Sequence, residues 1–307
     1  MSTQDDLFHP VIELPEPVRR ARFDRLVGLD ATKARLRKEA ALLTAPQRLQ
    51  AWARKFHPGG TISALQLLTD RAPLFVFAGD VGSGKSALAE SFGCDLADAL
   101  DLPVYLYRLK LTARGSGLVG EMTSLLGEAF AHLRDAASRA STTIGPTSVT
   151  VLVVDEADAL VQSREARQMH HEDRAGVDAF LAGIDSLAGT GLPVLAVLCT
   201  NRVNALDPAI MRRAAATFTF TRPDAEQRLA ILRASLHGFG LRADTLTKLV
   251  ELTGPTGSRP GFTSSDLAHR LIPTAVIAAF PDGPVNDEEL LTLASELIPT
   301  PVFAEQP

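Results

Sequence analysis

The chain has 307 residues, enough for two modest domains that each bury a hydrophobic core. Hydrophobic residues make up 46% and charged residues 22%, as in ordinary globular proteins, and the net charge of −5 gives no general electrostatic reason to expect nucleic acid or an anionic membrane as a partner. Cys94 and Cys199 lie in apolar segments, which predicts core residues in a reducing compartment rather than a disulfide or a metal site. The sequence has neither a signal-peptide pattern nor about eighteen consecutive apolar residues, so we expect a cytoplasmic protein.

The first part of the chain mixes irregular and helical patterns. Residues 1–22 contain several prolines and are predicted to form an extended arm, because proline lacks an amide hydrogen and fixes φ. We expect no substrate-recruiting domain ahead of the core, since this arm is too short for one. An acidic cap candidate and strong helix formers predict a helix at 30–44. Residues 45–69 are ambiguous around a Pro58-Gly59-Gly60 loop.

Strand and helix patterns then alternate. Four short apolar runs without polar alternation are typical of strands buried on both faces of a parallel sheet. They are LFVFAG, PVYLYRL, VTVLVVD and PVLAVLCTN, at 74–79, 103–109, 149–155 and 193–201. Helical patterns lie between them at 86–100, 119–140 and 175–187. This alternation predicts an α/β domain with helices on both faces of the sheet, which we place at 23–221.

The last part of the chain is predicted to be a small all-helical domain with a C-terminal tail, at 222–307. It has no strong strand pattern. Its helical patterns lie at 222–239, 244–254, 264–280 and 286–298.

The octapeptide GDVGSGKS matches the phosphate-binding pattern GxxxxGK[ST]. Chance would produce that pattern in roughly one chain of this length in a hundred, and the position between a strand and a helix makes chance less plausible. Gly79, Gly82 and Gly84 would let the backbone curl so that its amides face phosphate oxygens. Lys85 would neutralise the β- and γ-phosphates, and the Ser86 hydroxyl would bind Mg²⁺. The motif alone leaves a purely structural turn as the alternative.

A second motif ends the strand pattern at 149–155, where Asp155 is followed by Glu156. A carboxylate at the carboxyl end of a strand in an open α/β sheet lies where ligands bind. Asp155 would hold Mg²⁺ through water, and Glu156 would orient and deprotonate an attacking water. A solvated acidic loop end is the alternative, and it fits less well for a strand about seventy residues after a phosphate loop.

A third motif follows the strand pattern at 193–201. Asn201 would lie beside a γ-phosphate, although an asparagine is also common at a strand-to-loop turn. A short helix then leads to Arg212 and Arg213. They are either a solvated face or a finger that reaches a neighbouring subunit's nucleotide and stabilises charge in the transition state.

From residue 23 to residue 279 the sequence resembles the AAA+ ATPases, and in particular the AAA-type protein remodellers. FDRLVGLDATKARL is similar to the family's opening stretch, GDVGSGKS to its Walker A loop and VLVVDEADAL to its Walker B motif, while Asn201 falls at sensor 1. The resemblance implies a parallel-sheet P-loop NTPase core, the AAA+ large domain, followed by a helical lid, with ATP and Mg²⁺ as cofactors. The implied Mg²⁺ ligands are Ser86 and Asp155. The implied nucleotide-binding residues are Val27 and Gly28 against adenine, then Gly79, Asp80, Val81, Gly82, Ser83, Gly84, Lys85, Ser86, Ala87 and Asp155.

The lid stretch and the phosphate loop depart from the family's commonest pattern. GFTSSDLAHRL resembles the family's lid motif, but Ser265 stands near the usual position of the sensor-2 arginine. Arg259 or Arg270 could substitute for it. In the phosphate loop, Asp80-Val81 stands where two prolines are common.

The finger region departs as well. LDPAIMRRAAATF keeps Arg212 but has Arg213 where proline is usual and Ala215 in place of a second arginine. Arginine followed by alanine at this site is similar to the HORMA-remodelling branch of the family, the pachytene-checkpoint type, in its compact bacterial form. REARQMHHEDRAGVDAFLAGIDSL also looks like that branch. We therefore take Arg213 as the first choice for the finger and Arg212 as the second.

LTARGSGLVGEMTSLLGEAF resembles the family's first pore loop, which grips an extended polypeptide in the channel of a ring. Leu118 and Val119 take the gripping positions, Glu121 follows, and leucine replaces the usual aromatic residue. The alternative is that Leu118 and Val119 are the buried start of a helix. SREARQMHHEDRAG would be the second pore loop. His170 and His171 are adjacent and do not share one helix face, so a metal site there is not expected.

Together these features predict an ATPase that forms a ring of like subunits, six by family analogy. It would engage a protein client with its pore loops and partly unfold or disassemble it. The resemblance points to a HORMA-domain protein in bacterial antiphage signalling as the client. Two alternatives stay open: a DNA-linked AAA+ ATPase of the clamp-loader or initiator type, and a nucleotide-dependent regulatory switch. The acidic balance of the chain argues against the first.

Overall fold

A computed structural model describes residues 7–58, 62–110, 121–160 and 171–302. The chain divides into two compact units. The first unit draws on Met1–Phe23, Ala31–Ala78 and Ser86–Phe218, and the second on Asp24–Asp30, Gly79–Lys85 and Thr219–Pro307. No helix in the described ranges is both long enough and apolar enough to cross a membrane.

A six-stranded sheet forms the centre of the α/β part. Its strands are β1 (Ile12–Leu14), β2 (Leu74–Gly79), β3 (Val104–Arg108), β4 (Val149–Val154), β5 (Val194–Thr200) and β6 (Ala216–Phe220). Their order in the sheet is β1-β3-β4-β5-β2-β6, with β3, β4, β5 and β2 parallel and β1 antiparallel to β3. The α/β fold class predicted from the sequence is confirmed.

The helices of the α/β part lie between and around these strands in the sequence. They are α1 (Pro17–Arg25), α2 (Asp30–Thr44), α3 (Pro46–Phe56), α4 (Ser63–Thr69), α5 (Lys85–Ala89), α6 (Gly93–Leu100), α7 (Glu121–Ala140), α8 (His171–Asp185) and α9 (Pro208–Arg213), with short 3-10 turns at Ala157–Ala159 and Val203–Ala205. Strands β4 and β5 are buried along their whole length, which explains why their sequences are continuously apolar. Phe130 on α7 packs edge-on against Phe180 on α8, with ring centroids 5.4 Å apart.

The second unit has its own hydrophobic core, built mainly from helices. These are α10 (Ala225–Ser235), α11 (Ala243–Leu252), a π-helical segment (Asp266–Leu271), α12 (Ile272–Ala279) and α13 (Asp287–Glu296). Leu232, Leu249, Phe262 and Leu290 are fully buried in this core. Asp224 caps α10 in a capping box with Gln227. Among residues 222–302 the structure has no strand, in agreement with the sequence pattern.

Three local expectations differ from the structure. Residues 1–22 were predicted to form an extended arm, but their described part contains β1 and most of α1. Strand β1 is held in the sheet by its pairing with β3 over three residues. The predicted helix at 86–100 is two helices, α5 and α6. The Ser91 hydroxyl donates to the carbonyl of Ala87 at the break, a bond that competes with regular helix geometry. Strand β6 was not predicted.

Candidate functional site

The two acidic residues and the polar asparagine lie at one edge of the sheet. Asp155 and Glu156 directly follow β4, and Asn201 directly follows β5. The two strands are parallel neighbours, with Val154 opposite Leu198, so their carboxyl ends meet at the same edge. Strand β5 also pairs with β2, which leads into the GDVGSGKS loop. In an open α/β sheet, ligands bind at the carboxyl ends of the strands.

Ser86 and Asp155 are in direct contact although they are far apart in sequence. The Ser86 hydroxyl donates to Asp155 Oδ1 at 2.9 Å. The amide of Glu156 donates to the same oxygen at 3.0 Å. A hydroxyl and a carboxylate are hard oxygen ligands of the kind that Mg²⁺ takes beside phosphate oxygens. The donor set therefore fits a magnesium ion.

The backbone of Glu156 is in the left-handed region, with φ of 50°. That conformation is unfavourable for a residue with a β-carbon, and residues strained in this way cluster at functional sites. The neighbouring segment is fixed by the Thr200 hydroxyl, which donates to Asp158 Oδ1 at 3.0 Å and accepts from the amide of Arg202 at 2.9 Å. These hydrogen bonds connect the end of β5 to the turn that follows Glu156. The side chain of Glu156 itself is exposed and accessible to a ligand.

The phosphate loop belongs to the second unit as far as Lys85. Lys85 is 5% exposed, and its ammonium donates to the carbonyls of Gly79 at 3.0 Å and Asp80 at 2.7 Å. The backbone φ values of Gly79, Gly82 and Gly84 are +149°, +72° and +98°, all in the region that favours glycine. The loop is therefore curled around a buried cation, as a phosphate cradle requires.

The other predicted nucleotide-binding residues have varied surroundings. Within the second unit, Val27 packs against the hydrophobic core and the carbonyl of Gly28 accepts from Gln227 Nε2 at 2.7 Å. The Ser83 hydroxyl donates to the carbonyl of Asp80 at 2.6 Å. Val81 is 36% exposed, and Ala87 is the third residue of α5.

The two arginines of α9 have different surroundings. Arg213 makes a two-bond ion pair with Asp185, from Nε to Oδ1 at 2.6 Å and from Nη2 to Oδ2 at 2.8 Å. These hydrogen bonds lower the pKa of the Asp185 carboxyl. Arg212 is exposed and has no partner in the described part of the chain. Asp207 caps α9 by accepting from the amide of Ala209 at 2.8 Å. The geometry thus favours Arg212 over Arg213 as an arginine that can reach another molecule, the reverse of the order chosen from the sequence.

Arg259 and Arg270, the two possible substitutes for the sensor-2 arginine, both form contacts within the second unit. Arg259 donates to the carbonyl of Leu297 at 2.9 Å and lies over the ring of Phe262. Arg270 donates to Asp266 at 2.7 Å and to the carbonyl of Ile298 at 3.0 Å.

The predicted pore loops fall largely outside the described residues. Leu118 and Val119 lie there, as does His170 in the second loop. Glu121 is the first residue of α7, and its side chain is not described.

Sequence reasoning missed three contributors to this region: Arg222, Asp185 and Asp158. Arg222 forms an ion pair with Asp80, from Nε to Oδ2 at 2.5 Å. The one available signal was an acidic residue in the phosphate loop at a position where uncharged proline is common, since a carboxylate there needs a partner.

Comparison with known proteins gives matches along the whole chain. The family described as "ATPase family associated with various cellular activities (AAA)" matches residues 75–222. The chain is 47% identical over 304 residues to the CD-NTase-associated protein 6 of Escherichia coli (strain MS 115-1), covering 98% of this chain and 97% of that relative. A chain in the solved E. coli MS115-1 HORMA:CdnC:Trip13 complex matches with a TM-score of 0.93 and 46% identity over 99% of both chains. The solved Rhizobiales Trip13 matches with a TM-score of 0.77 and 39% identity, covering 96% of this chain and 100% of that one.

Proposed function

The chain belongs to the AAA family of ATPases, as its motifs predicted, and we propose that it hydrolyses ATP in a ring of like subunits to remodel a protein client. The observation that carries the proposal is the 2.9 Å contact between Ser86 and Asp155, which joins the phosphate-binding motif to the acidic strand end. Glycines, a buried lysine, a hydroxyl and a carboxylate are the groups that phosphoryl transfer requires. We assign residues 23–221 to the nucleotide-binding domain and 222–307 to the lid.

Each group then has a chemical role. The loop amides and Lys85 hold the β- and γ-phosphates, and Ser86 and Asp155 would hold Mg²⁺, which neutralises phosphate charge when bound. Glu156 orients the attacking water and accepts its proton, because a hydrolytic step needs a positioned base. Asn201, at the end of the neighbouring strand, holds the γ-phosphate or the water in line.

Arg212 is the group that we assign to a neighbouring subunit's nucleotide. Its guanidinium is exposed on α9, a helix fixed by its capping aspartate and by the buried Ile210. Arg213 holds the same helix in place through Asp185. A finger supplied by a neighbour acts only in an oligomer, so this assignment supports a ring, which we take to be a hexamer in the cytoplasm.

We take the client to be a HORMA-domain protein in nucleotide-signalling antiphage defence. This step rests on two similar proteins: one is named as CD-NTase-associated, and the other was solved in a complex with HORMA and CdnC. Both cover nearly the whole chain. Leu118 and Val119, followed by Glu121, remain our proposal for the surface that grips the client.

The substitution Glu156→Gln tests the ATPase assignment. It keeps the size of the side chain but removes the base, so we expect ATP to bind and turnover to fall by about 10²–10⁴. Glu251→Gln on α11 is the matched control, an exposed glutamate outside the site whose loss should leave turnover unchanged. Full turnover by the Glu156→Gln protein would refute the assignment. The same variant, loaded with ATP, should retain a HORMA-domain protein that the wild type releases.

A further inference from the structure

Arg222 connects the phosphate loop to the rest of the second unit. It follows β6 by two residues, and it donates from Nε to Asp80 Oδ2 at 2.5 Å and from Nη1 to the carbonyl of Gly261 at 2.6 Å. The side chains of Arg222 and Asp80 are only 13% and 15% exposed. An ion pair so well shielded from water depends on both partners, because removing one leaves a charge without compensation.

The backbone of the loop is packed against the same region. The amide of Asp80 donates to the carbonyl of Phe220 at 3.1 Å, and the amide of Ser265 donates to the carbonyl of Gly82 at 3.0 Å. Gly82 leaves no space for a side chain, because a β-carbon there would lie 2.8 Å from Thr263 Oγ1 and 2.9 Å from Ser265 Cβ. These contacts fix the shape of the loop, and Arg222 supplies the opposing charge.

That charge matters because Asp80 is part of a loop shaped to receive an anion. Without Arg222 the carboxylate would be uncompensated beside incoming phosphates, and like charges at close range oppose binding. Among the residues that the structure describes, Arg222 Nη2 is buried and has no hydrogen-bond partner. Arg259 and Arg270 are bonded elsewhere in the second unit.

We propose that Arg222 is a positioning residue of the phosphate loop, which neutralises Asp80 and holds the loop in the shape that binds nucleotide. The inference rests on the proposed ATPase function and adds a residue to it. Arg222 acts through Asp80 on ground-state binding, so its loss should raise the Kd for ATP and the KM while kcat at saturating ATP changes little.

The test is calorimetric titration of ATP and ADP into the full-length protein, with steady-state turnover measured alongside. Arg222→Gln should raise both Kd values by about 10- to 100-fold, and Asp80→Asn/Arg222→Gln should recover most of that loss because the repelling carboxylate is gone. The Kd values of Arg222→Lys should lie between those of Arg222→Gln and those of the double variant, since lysine cannot bond Asp80 and Gly261 with one planar group. Arg242→Gln is the control: it also removes an arginine paired with aspartates in the second unit, but it is 63% exposed.

The outcomes separate the two proposals. Wild-type protein that binds no ATP would remove the proposed function itself. The proposed role of Arg222 would be overturned, with the ATPase assignment left intact, by either of two results. One is wild-type affinity for ATP in Arg222→Gln, and the other is a double variant that binds ATP as weakly as Arg222→Gln. A merely structural arginine would lower the thermal midpoint and kcat without a selective change in KM. If Arg222→Gln does not fold, Arg222→Lys and the double variant decide between the outcomes.

Discussion

Arg212 and Arg213 are adjacent on α9, yet the structure predicts different consequences when each is replaced by alanine. Arg213→Ala removes the ion pair with Asp185. The two side chains are 34% and 50% exposed, so solvent screens the pair. We expect the free energy of unfolding to fall by only about 0.5–1 kcal/mol. Arg212→Ala removes no contact in the described structure and should leave stability unchanged.

The effects on ATP turnover should have the opposite order. An arginine that stabilises charge on the transferred phosphoryl group contributes roughly 10³–10⁵ in kcat. We therefore expect Arg212→Ala to reduce kcat by at least about 10³. Arg213→Ala should reduce it by about 10-fold or less, because α9 keeps its cap at Asp207 and its buried Ile210.

A mixing experiment tests whether Arg212 acts on a neighbour. Arg212→Ala and Glu156→Gln subunits are each expected to be inactive alone. When they are mixed, some sites combine an intact Glu156 with a neighbour's intact Arg212, and turnover should reappear. Activity that does not return on mixing would contradict an action in trans. A loss of about 10³ in Arg213→Ala with near-normal Arg212→Ala would show that the structural choice between them is mistaken.

Two further predictions concern stability. Gly79→Ala places a β-carbon 1.9 Å from the carbonyl oxygen of Phe220 at a φ of +149°, so denaturant unfolding should show that the free energy of unfolding falls by about 2–4 kcal/mol. In the control Gly189→Ala, at a φ of +66° with open space around it, the free energy of unfolding should fall by only about 1 kcal/mol. Equal losses in the two variants would contradict the steric argument. Burial would raise the pKa of Asp266, but hydrogen bonds from the Thr263 amide and other donors outweigh it and lower the pKa from 3.8 to about 2. The carboxylate therefore stabilises the fold at neutral pH by about 2 kcal/mol, a contribution that is complete above pH 4 and lost as the pH falls towards 2. Asp266→Asn should show this deficit at pH 7 and only a small part of it near pH 2, and a deficit independent of pH would refute the linkage.

The parts of the molecule that the sequence predicts well depend on local pattern. Continuous apolar runs located β2 to β5, and the glycine spacing located the loop in which Gly79, Gly82 and Gly84 have positive φ, because those signals lie within a few residues of the structure they specify. The contacts that sequence could not predict join distant positions. Asp80 and Arg222 are 142 residues apart, and Asp185 and Arg213 are 28 apart. Strand β1 has only three residues, which is too few for a recognisable sequence pattern. It is a strand because it pairs with β3.

The left-handed backbone of Glu156 has a consequence for attempts to raise the thermal stability of this protein. Glycine would adopt that conformation without steric strain, so a design procedure that rewards folding alone would favour Glu156→Gly. The resulting protein should melt at a higher temperature and hydrolyse almost no ATP, since the group that we propose as the acceptor of the proton from water has been deleted. At this position, robustness and catalysis place opposite demands on one residue.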